Sequence, residues 1–395
     1  MDIPFFIGIR KMKIIDMHCD TISELADAGL GGCGEPSDGL MKNRGQLDLE
    51  RMRQSGYLLQ NFALFVDIGK CAPWTDREQI LLSRRKRNRE DAREVGVSTP
   101  WERLCALYEV YRSELENNKD VIAPVFCYED ILQNEMNGKM SALLTVEEGA
   151  VCGGSIERLR ELYGMGVRML TITWNYQNEL GTPATRRSPG QCRSDDLTEE
   201  PAPEETQKTG NCGSGGGDAV TGPADMAYGL TETGCNFVTE MERLGMIPDV
   251  SHLSDAGFDA VWECTKKPFV ASHSNARAVC SSLRNLSDDR IRKLAERGGC
   301  MGLNYYDKFL VDGGSEDTEV LWEALIQQAR HITNVGGIEV LGLGSDFDGI
   351  PINPAVPGAE AMPVLWERLK TAGFTESQLD GMFWKNVMRV YRETL

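Results

Sequence analysis

The sequence holds only four histidines in 395 residues, and three of them close short apolar runs. His18 ends Ile14-Ile15-Asp16-Met17-His18, His252 ends Pro248-Asp249-Val250-Ser251-His252, and His273 ends Phe269-Val270-Ala271-Ser272-His273. Carboxylates stand at equivalent places. Asp20 lies two residues beyond His18, so on extended backbone the two side chains point the same way. Glu147 and Glu148 follow Leu143-Leu144-Thr145-Val146, and Asp346 and Asp348 follow Gly342-Leu343-Gly344-Ser345. Three imidazoles with carboxylates of mixed reach suit zinc or a similar borderline divalent ion. So many ligands also suit two ions that share a bridging carboxylate, a pair that can acidify water and polarise a scissile carbonyl. Spacing does not choose within either acid pair, because an acid beside a ligand often supports it or caps a helix. His331, in the helical stretch Gln328-Ala329-Arg330-His331, reads as a surface or packing residue. Cys19 has the opposite strand parity to His18 and Asp20 and reads as packing.

Such residues need a scaffold that brings distant strand ends together. Apolar runs predict strands at Lys13–Met17, Leu58–Val66, Ser141–Val146, Arg168–Thr173, Met246–Val250, Pro268–Ser272, Cys300–Asn304 and Val340–Gly344. Amphipathic helical patterns separate them, as at Ser155–Tyr163, Ala224–Leu244, Ser287–Arg297 and Leu321–Thr333. Eight strands alternating with helices predict an α/β fold, a (β/α)8 TIM barrel, with an open doubly wound sheet as the competitor. In a barrel the C-terminal strand ends form one rim, and that is where these histidines fall. The chain is expected to form one barrel domain over 1–395, with residues 1–11 as an N-terminal extension. A charged helical insertion is expected over 71–118 and a flexible loop insertion over 181–222, rich in Pro, Thr, Glu and Gly. The run Gly213-Ser214-Gly215-Gly216-Gly217 lacks the Lys-Ser/Thr of a phosphate loop. Thr375 and Gln378 form a capping box for a C-terminal helix expected to pack on the barrel exterior.

Composition narrows the partners. With 41% hydrophobic and 26% charged residues the chain has the makeup of an ordinary globular protein. A net charge of −18 argues against nucleic acid or an anionic membrane as a partner. The N-terminal apolar run is too short for a signal peptide or membrane span, so cytoplasmic residence is the expectation. The twelve cysteines include no Cys-x-x-Cys and are expected to be reduced.

Taken together the motifs resemble those of the membrane dipeptidase (renal dipeptidase) family of metallopeptidases, from about Ile14 to the C-terminus. Asp16-Met17-His18-Cys19-Asp20 resembles its opening His-x-Asp motif, and Val146-Glu147-Glu148-Gly149 its Val-Glu-Gly-Gly. Asp249-Val250-Ser251-His252 and Ser272-His273-Ser274-Asn275-Ala276 resemble its later histidine motifs, and Gly344-Ser345-Asp346-Phe347-Asp348-Gly349 its Gly-Gly-Asp-Phe-Asp-Gly. The resemblance implies an amidohydrolase-type barrel and a dizinc dipeptidase of the soluble bacterial type. It selects Glu147 and Asp346 from the acid pairs. One ion would be held by His18, Asp20 and Glu147, and the other by Glu147, His252 and His273. Asp346 would contact the first ion and a bridging hydroxide, serving as general base and then as proton donor to the leaving amine. Arg284, in Ser282-Leu283-Arg284-Asn285, would hold the substrate's C-terminal carboxylate through its planar fork. Tolerance of a D-residue at that position and a homodimeric state also follow from the resemblance. A family histidine after the fourth strand has no counterpart here, where Leu170-Thr171-Ile172-Thr173 leads into Trp174-Asn175-Tyr176. Stabilisation of the oxyanion must then come from Trp174, Asn175, another donor or the metals, and Trp174 and Asn175 are the expected substrate contacts. The alternatives are hydrolysis of another small amide or a lactam, or a catalytically silent metal-binding relative.

Overall fold

The computed structural model describes residues 12–31, 39–71, 98–185 and 229–395. The expected extension at 1–11, most of the 181–222 insertion and residues 72–97 of the 71–118 insertion lie outside the described residues. Strands β1 (Ile14–Asp16), β2 (Tyr57–Phe65), β3 (Ile122–Pro124), β4 (Met140–Glu147), β5 (Val167–Thr171), β6 (Ile247–Asp249), β7 (Val270–Ala271), β8 (Cys300–Leu303) and β9 (Leu341–Leu343) are all paired in parallel. β1 pairs with β2 on one side and β9 on the other, and β2 pairs with β4. The ring of eight is closed, which excludes the open doubly wound sheet. The fold is a (β/α)8 barrel.

All eight strands expected from the apolar runs are present, and they form the ring. β3 is additional. It pairs with Met140–Ala142 of β4, on the edge whose later half, Leu144–Glu147, takes β5. Three residues ending in Pro124 give no periodicity from which to read a strand.

Helices cover the barrel because one stripe of each is apolar. Ile156–Met165 buries Leu159 and Leu162 after a Ser155 cap, and Asp288–Glu296 buries Ile291 and Leu294. Within the 71–118 region the described helix is Pro100–Asn117, started by a capping box between Thr99 and Glu102. The Thr375–Gln378 capping box is also formed, at the start of Glu376–Asp380. The chain continues through a π-helical turn, Gly381–Lys385, into Asn386–Thr394.

That last helix departs from expectation. Val387, Met388, Val390 and Tyr391 pack with Ile15, Leu59, Leu143, Met169, Ile247, Val270 and Cys300, which line the lower barrel. Tyr391 Oη donates to Asn61 Oδ1 of β2 at 2.7 Å. Asn386 Nδ2 donates to the carbonyls of Ile338 and Leu341, and Arg389 reaches those of Gly298 and Glu339, all beside strand starts. The helix plugs the N-terminal mouth of the barrel rather than lying on its flank. The nine cysteines among the described residues are free thiols, and Cys19 is buried in the apolar layer outside the ring. No described helix is long and apolar enough to cross a membrane.

Candidate metal centre

The opposite mouth is built differently. β1, β4, β6, β7 and β9 each deliver a carboxylate or an imidazole at or just past their last residues. His18, Asp20, Glu147, His252, His273 and Asp346 are all buried there. Their ligand atoms fall into three overlapping sets, each within 4.8 Å: His18–Asp20–Glu147, Glu147–His252–His273, and His18–His273–Asp346.

Glu147 joins the first two sets through different oxygens. Its Oε2 lies 3.4 Å from His18 Nε2, while its Oε1 lies 3.0 Å from His252 Nε2 and 3.7 Å from His273 Nε2. His18 Nε2 also lies 3.4 Å from Asp20 Oδ2 and 3.7 Å from Asp346 Oδ1. The second acid of each pair points elsewhere. Glu148 accepts from the backbone N–H groups of Ala150 and Trp174 and from Asn178 Nδ2. Asp348 accepts from Thr21 Oγ1 and the Gln46 N–H.

The electrostatics show what this cluster lacks. Burial pushes Glu147 up to about 7, with His18 the largest opposing influence. Burial also raises Asp346. Burial alone would lower His18, but Glu147 and Asp20 outweigh it and hold the imidazole well above its ordinary value. His273 is held well below the usual value by burial and then by His18. The buried acids thus face little positive charge beyond a protonated His18 ring and the Arg284 guanidinium. His18 Nε2 and Asp20 Oδ1 are buried without a hydrogen-bond partner, and His252 Nε2 and His273 Nε2 face each other at 3.0 Å. Donor atoms of this kind, converging with nothing to bind them together, fit divalent cations.

The backbone is strained at the same rim. Among the described residues, Glu148, His252, Asp346 and Asp348 are the non-glycine residues with positive φ, from 64° to 98°. Such conformations cost on the order of 1–3 kcal/mol each and persist where the surroundings enforce them. Gly349 is required by proximity, since a Cβ there would lie 2.1 Å from Asp20 Oδ2.

A second layer of polar residues holds the side chains of the cluster. Asn304, just past β8, donates to Asp346 Oδ2 at 2.9 Å. His273 Nδ1 meets Ser272 Oγ at 2.7 Å, and Ser272 Oγ meets Asp249 Oδ2 at 2.6 Å. The signal for Asn304 and Asp249 was the one that marked the histidines, a polar residue ending an apolar run. Asn175 Oδ1 faces His252 Nδ1 at 3.0 Å and accepts from Thr185 Oγ1, so Asn175 contacts a histidine of the cluster from behind. Trp174 is half-buried, its ring edge-on to Phe65 at 4.8 Å and 6.3 Å from that of His252. Arg284 is buried, with long contacts of 3.5 Å to Ser274 Oγ and the His273 carbonyl, and its Nε has no partner. Burial pushes it down to about 10, against the pull of Asp346 and Glu147. His331, the fourth histidine, pairs with Asp288 at 2.7 Å between two outer helices.

Known proteins resemble this chain in sequence and in fold. The chain is 29% identical over 255 residues to an uncharacterized Klebsiella pneumoniae protein from the pqqA 5′ region, covering 64% of this chain and 82% of that one. It is 30% identical over 260 residues to an uncharacterized dipeptidase of Schizosaccharomyces pombe, covering 65% of this chain and 54% of that longer protein. In fold it is similar to a Rhodobacter sphaeroides metallopeptidase solved with a phosphinate mimic of the dipeptide L-Ala-D-Ala, with a TM-score of 0.74 at 23% identity over 98% of this chain and 100% of that one. The model of the membrane dipeptidase family, peptidase family M19, matches residues 9–200 and 207–395. With that match running nearly end to end over a closed barrel, the chain belongs to the membrane dipeptidase family of metal-dependent peptidases.

Proposed function

We propose that this protein hydrolyses the peptide bond of dipeptides using two zinc-type divalent ions. The observation that carries the reading is the placement of Glu147, whose two oxygens address two separate ligand groups. His18 and Asp20 would complete one site, and His252 and His273 the other. Ions bound there would acidify a water molecule and polarise the scissile carbonyl.

The protein's own residues do the rest. Asp346 is held by Asn304 through Oδ2, which leaves Oδ1 facing His18 and the cluster. It takes the proton from the attacking water as general base and returns it to the leaving amine. Arg284 is a buried cation with poorly matched donors, and a substrate carboxylate supplies the acceptors it lacks. Pairing there limits substrates to a residue whose carboxylate is free. We assign Trp174 to the wall beside the substrate, and Asn175 to holding His252, which is where its hydrogen bonds go. The L-Ala-D-Ala mimic in the Rhodobacter sphaeroides relative supports acceptance of a D-residue at the C-terminal position.

The test is a dipeptidase assay on purified protein, metal-stripped protein and zinc-reconstituted protein. Activity is expected to vanish on stripping and return with zinc, and Glu147→Ala is expected to lack it throughout. Undiminished activity in fully stripped protein would overturn the reading. Running N-acyl amino acids and β-lactams alongside separates dipeptides from other amides.

A further inference from the structure

We infer that Asp249 is a positioning residue for the metal centre, fixing through Ser272 which nitrogen of His273 carries the proton. The inference rests on the two-ion reading for its consequence, while its geometry stands independently.

Asp249 ends β6 and is fully buried. Its Oδ1 accepts the backbone N–H groups of Ser251 at 3.0 Å and Ser272 at 2.8 Å. Its Oδ2 accepts Thr171 Oγ1 at 2.7 Å and Ser272 Oγ at 2.6 Å. An ionised carboxylate accepts only, and each of its oxygens here receives two donors. Ser272 has one hydroxyl hydrogen, and the 2.6 Å contact commits it to Asp249. The same oxygen then faces His273 Nδ1 at 2.7 Å with lone pairs alone. Nδ1 must therefore be the protonated nitrogen, because the opposite order would press two acceptors together at one contact or the other. A neutral imidazole carries a single N–H, so Nε2 keeps its lone pair. That lone pair points toward Glu147 Oε1 and His252 Nε2, where a cation would sit.

The two histidines of this half-site are thus backed unequally. His252 is held by the neutral amide of Asn175, whereas His273 is held by a hydroxyl polarised by a buried anion. Anionic backing raises the basicity of a ligand as well as fixing its tautomer. Gly344 and Gly302 make room for the Ser272 backbone, since a Cβ at either would lie within 2.0 Å of its carbonyl oxygen.

Asp249→Asn is nearly isosteric but reverses the relay. Two backbone N–H groups retain the amide oxygen, which turns the NH2 group toward Ser272 Oγ and Thr171 Oγ1. Ser272 then receives a hydrogen and gives its own to His273 Nδ1 at 2.7 Å, a closer acceptor than Ser251 Oγ at 3.3 Å, which moves the imidazole proton to Nε2. Nitrogen-15 spectra of the full-length chain read this directly, and four histidines keep the spectrum simple. The expected result is Nδ1–H for His273 in the wild type and Nε2–H in Asp249→Asn. Chelator competition is expected to show zinc binding at one of the two sites weakened roughly 10–100-fold in the variant. Thr171→Val, which removes a donor from Asp249 without touching the Ser272–His273 contact, is expected to keep the wild-type tautomer and both affinities. An Nε2–H form in the wild type would overturn the proposal. So would an unchanged tautomer in Asp249→Asn, or equal zinc losses in both variants. A wild-type chain that takes up no zinc would instead defeat the two-ion reading, and the nitrogen spectra would still decide the relay.

Discussion

The two mouths of the barrel are made from the same eight strands and have opposite chemistry. At the C-terminal mouth, ionisable side chains crowd within a few ångströms, left-handed backbone recurs, and buried polar atoms stand without partners. At the N-terminal mouth, the last helix inserts Val387, Val390 and Tyr391 against Ile15, Leu59, Leu143 and Met169, and the Tyr391–Asn61 contact is short and complete. Clustered acids and strained backbone destabilise a fold, and close apolar packing stabilises it. Placing them at opposite ends lets one end tolerate strain because the other end holds the strands in register.

That contrast can be broken by variants at each end. The largest effect is expected for Glu147→Ala, which removes the proposed shared ligand: kcat/KM for a dipeptide should fall on the order of 1,000-fold or more, about 4 kcal/mol. Metal analysis should show loss of bound zinc, and the unfolding midpoint of the metal-free protein should not fall. A large drop in that midpoint would mean that the C-terminal mouth also carries stability. Next comes Leu143→Ala at the opposite end, with an expected loss of about 2–5 kcal/mol in denaturant unfolding. Its zinc affinity should match the wild type, and a change in affinity would show that the ends are coupled. Arg284→Met should raise the dipeptide KM by roughly tenfold or more with little change in kcat. Residual turnover of dipeptide amides, which lack that carboxylate, should be indifferent to the change. The smallest effect belongs to Tyr391→Phe, which leaves Asn61 Oδ1 buried without its donor. About 1 kcal/mol of stability should be lost in thermal or denaturant unfolding, with kcat/KM unchanged.

Much of the barrel was legible because buried parallel strands write themselves as short apolar runs, and the polar residues that end those runs stand out. Scarcity made the histidines conspicuous. Choosing Glu147 over Glu148 and Asp346 over Asp348 needed the family resemblance. In space Glu148 and Asp348 are occupied by nearby N–H and O–H donors, whereas Glu147 and Asp346 face the histidines. β3 was illegible because three residues ending in proline have no period to read. The plugging role of the final helix was illegible because its apolar stripe fits a barrel flank as well as a barrel mouth. Which residue backs which ligand candidate was hidden by distance along the chain: Asn175 meets His252 across 77 residues, and Asn304 meets Asp346 across 42.

The sequence by itself determined the elements and the reactive inventory: eight apolar strands, the amphipathic helices between them, and imidazoles and carboxylates at strand ends. These are local properties, set by side-chain type and by the two-residue and 3.6-residue periods of strand and helix. Only the tertiary structure decided which carboxylate oxygen faces which imidazole, which mouth the last helix closes, and where Asp249 sends its influence. Those outcomes depend on ring closure, which brings β1 beside β9 and places hydrogen-bonding atoms from distant segments within 3 Å of one another.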